Sequence, residues 1–464
     1  MRKVLLIALL YFLTFKSSHS QQLADSTVFR QIYNKSLTEG KAYDWLHHLC
    51  KGIGGRLAGS DEAEQAIEYT YKVMDSIVPG NVYKQEVMVV NWKRGEKESC
   101  YSINENTKVS DYRICALGNS VGTPAGGLKA RVIEVKDYDE LSELSREEVE
   151  GKIVFYNEPM DQRYINTFDA YSHCGKIRWS GPSTAAPLGA VATINRSLTH
   201  IIDDHPHTGS ISYKDSIPKI PGAAISTSGA DKLSRDIQEN PELELFIELD
   251  CKMMDDVPSS NVIGEIRGSE FPDEVIVVGG HLDSWDNGEG AHDDGAGCVQ
   301  SIEVLNIFRE LGIVPKRTIR AVMFINEENG VRGGNTYARE AEKSPVKHIG
   351  AIESDAGGFS PRGFFLDGDS ILIDHVKQWK GLFEPYLVHD FSRKGSGADI
   401  YKLKDQGAVV MGLYPDSQRY FDYHHSENDV FENVNRRELQ LGAATMAAMV
   451  YMLSEYGIPS QPEN

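Results

Sequence analysis

Five short segments of the 464-residue chain concentrate histidine, aspartate and glutamate: His281-Leu-Asp283, His292-Asp293-Asp294, Asn326-Glu327-Glu328, Glu353-Ser354-Asp355 and Tyr423-His424-His425. Imidazole nitrogen and carboxylate oxygen together form a donor set suited to zinc, with manganese or cobalt as substitutes. No two of the six cysteines stand at Cys-x-x-Cys spacing, so a thiolate site is not indicated. Acids gathered into one pocket repel each other strongly unless cations sit among them. Four protein ligands around one ion make a closed, structural site. Five, one of them a bridging carboxylate, suit two ions with positions left open for water. Water held between two cations has a lowered pKa, and the chemistry this set points to is hydrolysis.

Such residues must be delivered to one place, and the surrounding pattern says how. Val275-Ile-Val-Val278, Thr318 to Ile325, His348 to Ile352 and Val409 to Tyr414 read as apolar strands. Each is followed closely by one of the segments above, apart from His292-Asp293-Asp294, which lies between the first strand and its helix. Helices are expected from about Gly297 to Leu311, Gly334 to Glu342 and Glu438 to Tyr456. Alternating strands and helices define an α/β sheet, mixed and largely parallel and covered by helices. In such sheets ligands bind beyond the carboxyl ends of the strands. Ser60 is placed to cap a helix whose apolar stripe is Ala63, Ala66, Ile67, Tyr71, Met74 and Val78, and a strand from Val82 to Trp92 follows. Between 108 and 248 short apolar runs alternate with Gly, Pro and Ser clusters, which predicts a strand-rich insertion with only brief helices.

The run His281-Leu-Asp-Ser-Trp-Asp-Asn-Gly-Glu-Gly-Ala-His-Asp-Asp-Gly-Ala-Gly297, with Asn326-Glu-Glu-Asn-Gly330 and Glu353-Ser-Asp-Ala-Gly-Gly358, resembles the co-catalytic zinc exopeptidases. That family includes bacterial leucyl-type aminopeptidases, glutamate carboxypeptidase and the transferrin receptor, and the likeness is greatest to its carboxypeptidase Q branch. The motifs span about residues 260 to 430. The resemblance implies that His281 and Asp355 bind one zinc ion, Glu328 and His425 a second, and Asp293 bridges them. It implies that Glu327 is the general base and that the Asp283 carboxylate holds the His281 ring by its other nitrogen. His425 is preferred to His424 because His425-Ser-Glu-Asn-Asp429 fits the family's His-Ser/Thr-x-x-Asp pattern. His424 or Tyr423 is then available to polarise the substrate carbonyl. The insertion resembles a protease-associated domain through Val149-Glu-Gly-Lys-Ile-Val-Phe155 and Gly189-Ala-Val-Ala192. The implied activity is hydrolysis of a terminal peptide bond of small peptides, as an aminopeptidase or as a dipeptidase of the carboxypeptidase Q kind. A single-zinc glutaminyl cyclase is the first alternative, and a non-catalytic receptor on the same fold the second. Both are disfavoured by the full set of ligand positions and the intact Glu327.

Other features bound the reading. A formal net charge of -20 argues against nucleic acid or an anionic membrane as partner. Arg2-Lys3, the apolar run Val4 to Leu13 and the small polar residues to Gln21 have the layout of a secretory signal. The expectation is therefore a signal peptide at 1–20, catalytic residues at 21–107 and 249–464, and a secreted or periplasmic protein acting on peptides. Oligomeric state is open between monomer and homodimer. Gly118-Asn-Ser120-Val-Gly122 matches the serine-hydrolase elbow by letter, but Thr123-Pro-Ala-Gly-Gly127 cannot begin the helix an elbow requires. Arg332, Arg362, Arg393 and Lys394 are candidates to bind a substrate carboxylate. Asp203-Asp-His-Pro-His207 reads as a solvated loop, and Arg393 to Asp399 as a segment that closes over substrate.

Overall fold

The computed structural model describes residues 23–105 and 107–459, so the expected export signal at 1–20 lies outside the described residues. Seven strands form the first sheet: β1 (Val82–Val89), β2 (Val257–Ile266), β3 (Phe271–His281), β4 (Arg317–Phe324), β5 (Lys347–Glu353), β6 (Pro361–Asp367) and β7 (Val409–Pro415). Their order is β1-β2-β4-β3-β5-β7-β6. The central strands β4, β3, β5 and β7 run parallel, while β1, β2 and β6 pair antiparallel toward the edges. The expected mixed α/β sheet is the one observed.

Five helices cover this sheet or border the site: α1 (Asp61–Ile77), α2 (Thr167–Ala185), α3 (Ala296–Leu311), α4 (Arg332–Lys343) and α5 (Arg436–Tyr456). Successive side chains of a strand point to opposite faces. Accordingly Ile276 and Val278 of β3 join the core formed with α1, α3 and α5, whereas Val275 and Val277 join the one under α4. Helices on both faces explain why β3 is apolar without alternation. Each Val or Ile buried there stabilises the fold by about 1.5–3 kcal/mol. Ser60 caps α1 by accepting from the Ala63 N–H at 3.1 Å. Helix α3 is buried from Ala296 through Phe308 and ends at Gly312, whose φ of 63° lets the chain leave in the left-handed conformation. It links β3 to β4, so the loop that opens it lies at the carboxyl end of β3.

A second sheet of eight strands is inserted between β1 and β2. It opens with the strand Glu98–Asn104, ahead of the expected onset at 108, and its last strand is Glu244–Leu249. It has its own apolar core, with Val132, Phe155, Ile194, Ala223 and Leu245 at its centre. The expectation of brief helices here is corrected. Helix α2 has 19 residues and Thr227–Glu239 has 13. Gly175, Gly181 and Pro182 inside α2 are poor helix formers and hide its period. Tertiary contacts impose the helix in spite of them. The Ser120 hydroxyl is buried and accepts from the Gly222 N–H at 2.9 Å, as suits a loop and not a nucleophile. All six cysteines are buried and unpaired.

Candidate metal centre

The carboxyl ends of the four parallel strands meet at a cavity of about 350 Å³. His281 is the last residue of β3. Beyond β4, Asn326 takes φ 66°, a conformation asparagine tolerates, and its Oδ1 accepts from the Val90 N–H at 3.0 Å. That turn presents Glu327 and Glu328 to the cavity. β5 leads into Asp355. β7 leads through the helical turn Tyr420–Tyr423 to His424 and His425, the latter at φ 63°. Asp293 enters from the loop between β3 and α3, where the Asp293–Asp294 peptide is cis.

The five expected ligands come together in two groups that share Asp293. His281 Nε2 lies 3.1 Å from Asp293 Oδ1 and 3.4 Å from Asp355 Oδ1. His425 Nε2 lies 3.2 Å from Asp293 Oδ2 and 3.2 Å from Glu328 Oε2. His424 stacks on His425 with ring centroids 3.5 Å apart, and its Nε2 is 3.6 Å from Asp293 Oδ2. Asp293 Oδ2 and Glu328 Oε1 are buried and have no hydrogen-bond partner. Unpaired buried carboxylate oxygens call for a missing electrophile. Two imidazoles and three carboxylates around such oxygens fit divalent cations of the borderline class.

The electrostatics agree. Burial raises the proton affinity of Glu328, whose pKa is pushed up to about 7, with the Asp293 charge adding to the effect. Burial likewise raises Glu327 and Asp355, against the opposing pull of His281. At Asp293 burial acts upward but is outweighed by the His281 hydrogen bond and the neighbouring His425 and His424 rings, which hold it well below the usual carboxylate range.

Several residues outside the ligand set hold it in place. Asp429 accepts from the N–H groups of His292 at 2.7 Å and Asp293 at 3.1 Å. Asp294 spans the N–H groups of His281 at 3.0 Å and Gly297 at 2.9 Å, tying β3 to α3. Arg56 is fully buried and donates to the carbonyls of Leu282, Glu289 and Gly290, clamping the intervening loop. The role expected for the Asp283 side chain is corrected. The His281 ring faces the Asp283 backbone carbonyl, with Nδ1 at 2.9 Å. The Asp283 carboxylate instead accepts from the N–H groups of Glu327 at 3.0 Å and Glu328 at 3.3 Å. Asp283 lies two residues beyond the end of β3, beside the turn after β4 that presents those two N–H groups. Tyr423 is corrected too. Its ring stacks on His292 at 5.3 Å, and Tyr420 takes the place at the cavity.

The insertion closes one side. Phe168, Tyr171, Arg178 and Trp179 of α2 and Ser210 line the cavity. Of the segment expected to be a solvated loop, Asp204 is exposed as expected, but Pro206 and His207 are buried against the site. His207 Nδ1 donates to the His424 carbonyl at 2.7 Å, and Thr208 N–H donates to the His425 carbonyl at 2.9 Å. The Thr208 carbonyl lies 3.2 Å from His425 Nδ1, and Ser210 donates to the Glu328 carbonyl at 2.5 Å. Charge and proline make 203–207 look solvated, and only the fold reveals what it touches. Residues 393–399 do not line the cavity. Asp399 is buried, accepting from the Gly334 N–H at 3.0 Å.

A sheet of this topology whose parallel strand ends gather such a donor set is that of a metallo-exopeptidase. Comparison with known proteins agrees and is more specific. The model for Peptidase family M28 matches residues 261–450. The chain is 32% identical to carboxypeptidase Q of Mus musculus over 94% of its own length and 90% of that protein's. A solved structure of a peptidase M28 precursor from Shewanella amazonensis SB2B superposes with a TM-score of 0.88 at 30% identity, covering 96% of this chain and 100% of that one. An aminopeptidase from Aneurinibacillus sp. strain AM-1 shares the fold, with a TM-score of 0.63 at 18% identity over 94% of this chain and 98% of that one. The chain belongs to peptidase family M28.

Proposed function

We propose that the protein is a dinuclear zinc exopeptidase that releases a terminal residue from small peptides. The observation that carries this reading is the placement of Asp293, with one oxygen toward His281 and Asp355 and the other toward His425 and Glu328. In this reading His281 and Asp355 hold one ion, Glu328 and His425 the other, and Asp293 bridges them. Manganese or cobalt could substitute. When bound, the two ions supply a lowered pKa for water and positive charge against an oxyanion. Support for zinc comes from the fold neighbours, one of which is a zinc aminopeptidase from Bacillus subtilis.

The chain's own groups do the rest. Glu327 lines the cavity beside the ligand pairs, and burial raises its affinity for a proton. It takes the proton of the attacking water and passes it to the leaving amine nitrogen. Asp283 positions Glu327 by holding its N–H. His424 stands beside Asp293 in the cavity wall and offers a hydrogen bond to the scissile carbonyl oxygen. A cavity of about 350 Å³ lies at the small end of ligand pockets, which run from roughly 300 to 1,000 Å³, and suits a short peptide. Residues 1–20 direct export, and the protease-associated-like insertion walls the site.

The test is to supply zinc and offer free dipeptides beside a longer peptide blocked at both ends. Release of free amino acids from the dipeptides alone is expected. Cleavage inside the doubly blocked peptide would contradict the exopeptidase reading.

A further inference from the structure

A second, much smaller cavity of about 10 Å³ adjoins the metal centre, with Trp285, Asn287, Asp293, Glu328 and His425 in its wall. Its size is about what one water molecule requires. Four of these side chains each have a buried polar atom without a hydrogen-bond partner among the described residues: Trp285 Nε1, Asn287 Oδ1, Asp293 Oδ2 and Glu328 Oε1. Asp293 Oδ2 faces His425 Nε2 at 3.2 Å, on the side assigned to an ion. The other three need a different partner, since buried polar groups are nearly always hydrogen-bonded.

Their chemistry says what that partner is. An indole N–H only donates, whereas an amide oxygen and a carboxylate oxygen only accept. The Asn287 amide is fixed in this orientation, because its Nδ2 donates to the His425 carbonyl at 3.1 Å. Glu328 turns Oε2 to His425 Nε2 at 3.2 Å, so an ion held between those two leaves Oε1 for another contact. A metal cation would be repelled by the N–H, and an anion by the carboxylate. Water accepts from one group and donates to two.

The donor is held in place from the insertion. Trp285 leaves the loop after β3 and joins the insertion's apolar core, edge-to-face with Trp92 at 6.4 Å and with the His425 ring at 5.7 Å. Gly118 admits the indole, since a Cβ there would lie 1.9 Å from its Cη2. The packing of the insertion therefore fixes where this N–H points.

We infer that the small cavity binds one water molecule, which accepts from Trp285 Nε1 and donates to Asn287 Oδ1 and Glu328 Oε1, and that Trp285 is thereby a positioning residue for Glu328. This rests on the dinuclear reading above. Groups outside a ligand set orient the ligands and tune the site. Here the water holds Oε1, so that Glu328 meets the ion through Oε2.

The first test is a high-resolution crystal structure of the zinc-loaded wild type, which should show a water within hydrogen-bond distance of all three atoms. The second is chelator competition with metal analysis on the wild type and on Trp285→Phe, which keeps an aromatic ring and removes the N–H. Loss of such an outer partner weakens a metal site by about 10- to 100-fold. That loss is expected for the ion at Glu328 and His425 alone, with the ion at His281 and Asp355 held as before. A cavity without water, both Glu328 oxygens on the ion, or Trp285→Phe weakening neither ion or both equally overturns the inference while the two-ion reading stands. If the zinc-saturated wild type carries one ion per chain, the two-ion reading fails, and this inference with it.

Discussion

Replacing Asp293 by Asn would keep the side chain's size while removing the charge that faces His281 through Oδ1 and His425 through Oδ2. Both halves of the site lose a ligand at once, so Asp293→Asn is expected to bind fewer than one zinc per chain by elemental analysis. His425→Ala should spare one ion, held by His281, Asp355 and Asp293. Glu327→Gln separates binding from chemistry. It should keep its metal and lose about 10²–10⁴ in kcat, as expected for removal of a general base. Residues of this kind are legible in a sequence because their type and spacing carry the chemistry. Arg56 and Asp283 are harder. An arginine acquires its role from the carbonyls it meets. At 283 the sequence offers a carboxylate two residues after a ligand histidine, and only the fold brings the N–H groups of Glu327 and Glu328 to it.

At the scale of elements, the four parallel strand ends are readable because apolar runs lead straight into three of the polar segments, and into His424-His425 through a short loop and helical turn. Helix α2 is not, since glycine and proline interrupt its pattern while the insertion's core imposes the helix. The segment His207–Ser210 hides its role for a related reason: its partners are His424, His425 and Glu328, more than a hundred residues away. Those contacts tie the insertion to one half of the site only. Ser210→Ala and His207→Ala are therefore expected to weaken the ion at Glu328 and His425 and to leave the other unchanged. Competition with a chelator, followed by metal analysis, distinguishes the two. Equal weakening of both would show that the segment acts on the whole site.

For the molecule as a whole, the formal net charge is -20, and no helix among the described residues is long and apolar enough to cross a membrane. Stability should fall in mild acid for a reason the sequence hides. Burial pushes His207 and His348 from the ordinary 6.5 down to about 3, so the folded protein holds both rings neutral. Between pH 6.5 and about 3 the unfolded chain binds more protons, so their contribution is intact above 6.5 and is lost as the pH falls through that window. Each ring adds a slope of up to about 1.4 kcal/mol per pH unit. Urea unfolding of His348→Gln from pH 7.5 to 5 should show the slope reduced by one ring's share. An unchanged slope would mean that His348 is not held neutral.

The most direct measurement is a zinc titration of metal-free protein, following dipeptide hydrolysis against bound metal. Full activity is expected only as the second equivalent binds, with two ions per chain at the plateau. A plateau at one ion per chain would contradict the shared role assigned to Asp293.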